Sequence, residues 1–118
     1  QISRTQLATL TDDLGDAGEF IWQIKQHYLN FYASKGVFDG FPIHDATAAL
    51  AMIFPDDFEI AEGDLRCVTA GDQRGRTIFS ERHGGHHQVA LSAQGTTLWR
   101  RFNALMHAQF GVDSSKTV

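Results

Sequence analysis

Residues 40–54 read GFPIHDATAALAMIF: a Gly-Phe-Pro turn, a His-Asp pair, and then a run without charge. Pro42 locks its own φ and biases its predecessor toward extended backbone, so the chain enters this stretch through a turn rather than a continuing helix. The uncharged residues that follow predict a short apolar helix stopping near Pro55. Ala46, Thr47, Ala48 and Ala49 are small enough to let it approach its neighbours closely. At a helix N-terminus the first backbone N–H groups lack intrahelical partners and the local dipole is positive, which favours a carboxylate such as Asp45 and presents it rather than burying it. His44 stands just outside the first turn, from which its ring reaches the same cavity. A carboxylate beside an imidazole suits two tasks: an oxygen ligand for a hard cation such as Ca2+, and a proton donor to a leaving group. The plainer alternative is an N-cap with a hydrogen-bonded histidine.

Toward the N-terminus, residues 5–14 are a short helix candidate ending at Gly15, and Asp16 with Glu19 reads as a D-x-x-E capping box opening a second helix. Ile21, Ile24, Tyr28 and Phe31 recur in that helix at helical spacing, the pattern of a buried stripe, and Gly36 with Gly40 ends it. Toward the C-terminus the period changes. Phe58, Ile60, Leu65, Cys67 and Val68 read as one or two strands with a bend at Gly63, and residues 76–82 and 88–92 as two further short strands. Leu98, Trp99, Phe102, Leu105, Met106 and Phe110 lie on one side of a last helix beginning at Thr96 or Thr97, closed by Gly111 before a polar tail. The fold class is α/β: helices, then short strands, then a closing amphipathic helix. Residues 1–118 contain no linker and no repeat and are expected to form a single unit. A complete doubly wound sheet would instead open with alternating strands and helices.

Composition bounds the possibilities. The chain has 118 residues, of which 42% are hydrophobic, enough for the core of one small domain. Its net charge of -4, with no dense Lys/Arg cluster, argues against nucleic acid or an anionic membrane as partner. Cys67 is the one cysteine, so no internal disulfide forms, and no apolar run approaches the ~20 residues of a membrane span. A soluble, cytoplasmic chain is expected. It begins with Gln1 rather than Met, which places the expected start of the gene product upstream.

Three stretches in order, FYASKGVFDGFPIHDATAALAMIFPDDFE, GDLRCVTAGDQRGRTIF and HHQVALSAQGTTLWRRFNALM, resemble the C-terminal third of the inosine-uridine nucleoside hydrolases. In that family a long helix leads through a Gly/Pro turn into a P-[VIL]-H-D segment and an apolar helix ending in P-x-x-F. There follow a strand, a Gly-rich hairpin that here reads G-x-x-x-G-x-T from Gly71 to Thr77, a strand containing V-A, and a closing amphipathic helix. The likeness runs from Ile2 to Met106. It implies the C-terminal part of a nucleoside hydrolase-like fold, whose parent cleaves ribonucleosides to ribose and free base with Ca2+. By the same resemblance Asp45 supplies a carboxylate oxygen to the calcium, His44 contacts or protonates the departing base, and Tyr32, on the preceding helix, meets the substrate. A core or interface tyrosine is the alternative at Tyr32, and Tyr28, one turn earlier, is expected to pack.

The chain departs from the family in one large respect. Nucleoside hydrolases carry a D-x-D-x-G-x-D-D cluster near their N-terminus that supplies most calcium ligands and the general base. TDDLGDAG at residues 11–18 has a different order and lies only one helix before His44, so it reads as a helix end followed by a cap. Calcium takes about six to eight oxygens, more than Asp45 can offer. The resemblance therefore implies a piece lacking the N-terminal catalytic half, inactive alone, which pairs with that half or with a second copy as a homo-oligomer. Two other readings stand beside it. One is a non-catalytic binding or assembly domain on the same scaffold. The other is a metal-binding module in which His83, His86 and His87 of ERHGGHHQ hold Zn2+ or Ni2+, although adjacent His86 and His87 point to opposite faces if that segment is a strand.

Overall fold

The computed structural model of the chain describes residues 1–37 and 39–112, which form a mixture of helices and a small antiparallel sheet. In order these are α1 (Arg4–Asp12), α2 (Gly15–Ser34), α3 (His44–Ile53), a 3-10 turn (Pro55–Asp57), β1 (Phe58–Cys67), β2 (Thr77–Glu81), β3 (His87–Ala93) and α4 (Gly95–Phe110). The polar tail expected after Gly111 lies, from residue 113, outside the described residues. Where the sequence reads as one unit, contacts divide the chain into two. Gln1–Leu50 joins the chain from Gly95 onward in the first, and Ala51–Gln94 forms the second. Among the described residues the strands pair with one another, and the sheet segment interrupts the helical unit in sequence.

The helical unit is organised by a short antiparallel bridge between Ile2 and Phe41. The Ile2 amide donates to the Phe41 carbonyl at 3.0 Å, and the Phe41 amide donates back at 3.1 Å. Gly40 makes this approach possible: its φ is +145°, and a Cβ there would lie 2.0 Å from the Ile2 carbonyl oxygen. Ile2, Leu7, Leu29 and Phe41 are buried together, with Ile21, Trp22, Tyr32, Ile43 and Trp99 packed against them. Burying the Phe41 ring contributes about 1.5–3 kcal/mol, and the bridge holds it there. The crossing of α1 and α2 is equally close. A Cβ on Gly18 would meet the Thr11 carbonyl oxygen at 1.8 Å, so only glycine fits.

In the sheet unit β1 is central, in the order β2-β1-β3, with both pairings antiparallel and an irregularity between Glu59 and Ile60. The Gly-rich hairpin turns back between Val68 and Arg76, where the Gly75 amide donates to the Val68 carbonyl at 2.7 Å and Gly75 takes φ of +90°. The β2–β3 loop is tied to β1 by carboxylates: Glu62 accepts from the Gly84 amide at 3.1 Å and Asp64 from the His86 amide at 3.3 Å.

Two expectations are corrected. Of the stripe Ile21, Ile24, Tyr28 and Phe31, only Ile21 turns inward; Ile24, Tyr28 and Phe31 are 47–49% exposed, because Gly18, Leu29 and Trp22 on the opposite side form the face against the core. The Asp16/Glu19 capping box does not form. The helix already begins at Gly15 with Leu14 as its N-cap, so Asp16 sits inside the first turn and Glu19 accepts from Gln23 instead. The reciprocal box occurs on α1, between Ser3 and Gln6, whose S-x-x-Q spacing carried the same signal. On α4 no residue is fully buried; Leu105 and Phe110 are exposed, and Trp99 reaches the core.

The last helix is fastened to the α1–α2 turn by His107. Its Nδ1 lies 2.8 Å from the Asn103 carbonyl and its Nε2 3.2 Å from Asp13 Oδ2, while the Val112 amide donates to the Asp13 carbonyl at 3.2 Å. Both acceptors favour the doubly protonated ring, the Asn103 carbonyl most, and raise the His107 pKa above its usual 6.5. Because the folded value is raised, this contribution is complete below the unfolded value near 6.5 and is lost as pH rises through the folded one. The thermal midpoint is therefore expected to fall between pH 6 and pH 8.5, and to fall less in Asp13→Asn. Equal slopes for the two proteins by circular dichroism would remove His107 as the cause.

Candidate functional site

The helical unit contains a cleft of about 380 Å³ lined by Ile21, Lys25, Tyr28, Tyr32, Phe41, Pro42, Ile43, His44, Asp45, Ala46 and Phe102. That volume lies in the range of small-molecule sites, which are mostly apolar with a few convergent polar groups. Each wall has a local cause. On α2, Ile21, Lys25, Tyr28 and Tyr32 are spaced by one helical turn each and share a face. Phe41 is pinned by the bridge to Ile2, so the next residues, Pro42 to Ala46, pass the same face of α2. The ring of Phe102 comes from α4.

All three residues expected from the sequence, Tyr32, His44 and Asp45, line this one cleft. His44 is the first residue of α3 rather than the residue before it, a shift of one position: the Thr47 amide donates to the Ile43 carbonyl at 3.2 Å, which makes Ile43 the first acceptor of the helix. Thr47 Oγ1 also donates to that carbonyl, at 2.5 Å. His44 and Asp45 are exposed, as their place at a helix start requires. Tyr32 is half-buried, with its ring edge-on to Phe31 at 5.4 Å between centroids.

Sequence reasoning missed Lys25, Phe41 and Phe102. Lys25 Nζ lies 4.9 Å from the centroid of the Tyr28 ring and 5.7 Å from that of Phe41, so a cation is held over two aromatic faces at the mouth of the cleft. Tyr28, expected to pack, both packs and lines the cleft, its ring 6.0 Å from Phe41. The spacing of Lys25, Tyr28 and Tyr32 already puts them on one face, which Tyr28 shares with the exposed stripe of Ile24 and Phe31.

Two larger hollows carry less chemistry. One of about 510 Å³ between α1 and α2 is lined by Ala8, Thr11, Asp12, Gly15, Gly18, Glu19 and Trp22. The other, about 620 Å³, lies on the sheet beside Phe58, Ile60, Glu62 and His83. The TDDLGDAG acids are dispersed: Asp12 lines the α1–α2 hollow, Asp13 bonds His107, and Asp16 lies in the first turn of α2.

Asp45 is the single carboxylate lining the cleft, and among the described residues no three His, Cys, Asp or Glu side chains stand together as a metal site. These residues do not by themselves fit a calcium ion, which needs about six to eight oxygens. Of the three histidines in ERHGGHHQ, His83 is fully exposed and 3.7 Å from Glu62 Oε2, and His87 Nδ1 accepts from the Leu65 amide at 3.2 Å. His86 offers its backbone amide to Asp64. No protein-family model matches the chain, and no curated protein matches it.

The strongest electrostatic feature near those histidines is a fork between Arg82 and Asp64. Arg82 Nε donates to Asp64 Oδ2 at 2.7 Å and Nη2 to Oδ1 at 3.1 Å. The Arg82 hydrogen bonds, and after them the His86 amide, lower the Asp64 pKa from 3.8 to about 2. Because the folded value is depressed, the fork's contribution is present above the unfolded value and is lost as pH falls toward about 2. In Arg82→Ala the Asp64 carboxyl should titrate at higher pH than in the wild type, followed by carbon-detected NMR; a midpoint unchanged near 2 would assign the shift elsewhere.

Proposed function

We propose that the chain is the C-terminal part of a calcium-dependent N-ribosyl hydrolase that cleaves ribonucleosides to ribose and free base. The observation that supports this reading is the convergence of His44, Asp45 and Tyr32 on one aromatic-walled cleft. Tyr28, Tyr32, Phe41 and Phe102 offer flat apolar surface against which a planar base can lie. His44, exposed at the start of α3, gives a proton to a base nitrogen as the C1′–N bond breaks and its electron pair leaves with the base. The sugar then carries the developing positive charge, so this proton matters mainly in the transition state. Asp45 is the residue that faces a metal in this scheme, and the remaining oxygens and the general base come from a further half of the parent. The same count of groups favours a second reading, in which this cleft holds a planar ligand without breaking it.

Two measurements separate these readings. In the intact parent, His44→Ala should lower kcat about 10²- to 10⁴-fold with KM changed only a few-fold; a wild-type kcat would remove His44 from the chemistry. The 118-residue chain alone, incubated with inosine or uridine at millimolar calcium, is expected to release no free base, because it offers one acid and one carboxylate. Calcium-dependent turnover abolished by Asp45→Ala would show that other carboxylates complete the site, with Asp12, Asp13 and Asp16 the first to examine.

A further inference from the structure

Helix α2 has a second, outward face that meets the cleft only at Tyr28. Phe20, Ile24, Tyr28 and Phe31 follow one another at intervals of four, four and three residues, which keeps them on one side of the helix. They are 63%, 47%, 49% and 49% exposed. Taking the three aromatic side chains at about 150–250 Å² each and Ile24 at the lower end of that range, the four leave roughly 400 Å² of surface in water, as large as patches that mark interaction sites.

The ends of this face complement each other under reversal, while the same reversal sets Ile24 beside His27 and Tyr28 beside Gln23. Phe20 and Phe31 stand equally far on either side of a point between Lys25 and Gln26, and Asp16 and Lys35 stand equally far beyond them. Asp16 lies exposed in the first turn, at the acidic end of the stripe. Lys35 follows the last turn, its Nζ 5.7 Å from the Phe31 ring centroid, so a positive charge sits at the other end. Two copies of α2 laid antiparallel about that midpoint bring Phe20 against Phe31 and Asp16 against Lys35, twice, by the two-fold axis. A parallel pair would set Asp16 against Asp16 and Lys35 against Lys35. We infer that the outward face of α2 docks a second copy of this chain in an antiparallel, isologous pair.

The area sets the strength. Roughly 400 Å² of apolar surface per copy is below the size of a stable interface, so the pair is weak and forms only at high protein concentration. The end charges contribute little affinity of their own and choose the direction.

Sedimentation velocity of the full chain over about 1–500 µM tests this. The wild type should pass from monomer to dimer across the range, and Ile24→Glu, at a half-exposed position outside the cleft, should stay monomeric with an unchanged helical spectrum. Asp16→Lys and Lys35→Asp should each weaken the dimer roughly fivefold or more at low salt, and the double variant should restore it. That restoration is read as association, apart from any loss of thermal stability from removing an acid at the α2 N-terminus. A monomer at every concentration, or a dimer untouched by Ile24→Glu, overturns the inference. Single charge reversals without effect, or a double variant weaker than both, would overturn the antiparallel arrangement.

Discussion

Everything the candidate site requires depends on two backbone hydrogen bonds between Ile2 and Phe41. They tie the first residues of the chain to the segment just before α3, and Gly40 is the residue that lets the backbones come so close. Phe41 is thereby held at 1% exposure within the cluster of Ile2, Leu7 and Leu29. With Phe41 fixed, only two residues separate it from His44, so the start of α3 has little freedom to leave the face of α2 that carries Tyr32. A local pairing of a few residues does the positioning that a sheet edge does in a larger α/β fold.

Helix α2 serves three environments at once. One side, through Gly18, Trp22 and Leu29, meets α1 and the core; an adjacent side, through Ile21, Lys25, Tyr28 and Tyr32, lines the cleft. A third side stays apolar and exposed. A twenty-residue helix in a unit this small has more apolar surface than its own core absorbs, and surface-to-volume scaling makes that surplus expected. Lys25 sits at the junction of the sides, its ammonium over two rings, and moderates the exposed aromatic edge.

The sheet unit follows a different economy. Gly63 passes so near β2 that a Cβ would lie 2.4 Å from the Ser80 carbonyl oxygen, and Ala61 is its one buried apolar side chain among the described residues. With so little core, carboxylate contacts are prominent: Asp64 grips Arg82 and the His86 amide, Glu62 the Gly84 amide, and Glu59 the Ser92 hydroxyl at 2.6 Å. Such exposed contacts order a loop more than they stabilise a fold.

Much of the secondary structure was legible in the residues, because its signals are local. Pro42 and Pro55 bracket α3, Gly36 with φ of +85° ends α2, and Gly75 turns the hairpin, each through a conformational restriction or freedom written in one side chain. The pairing of His44 with Asp45 at a helix start followed from the same local reading. What the sequence pattern gets wrong is which side of α2 faces inward. Ile24, Tyr28 and Phe31 are as apolar as a core stripe, and periodicity reports that a face exists without saying what covers it. Only tertiary contacts decided that Leu29 and Gly18 point to the core, because the close crossing with α1 at Thr11 demands glycine on that side. The same contacts, through the Ile2–Phe41 bridge, placed Lys25, Phe41 and Phe102 around the cleft, a juxtaposition of residues far apart in the chain that no local pattern encodes.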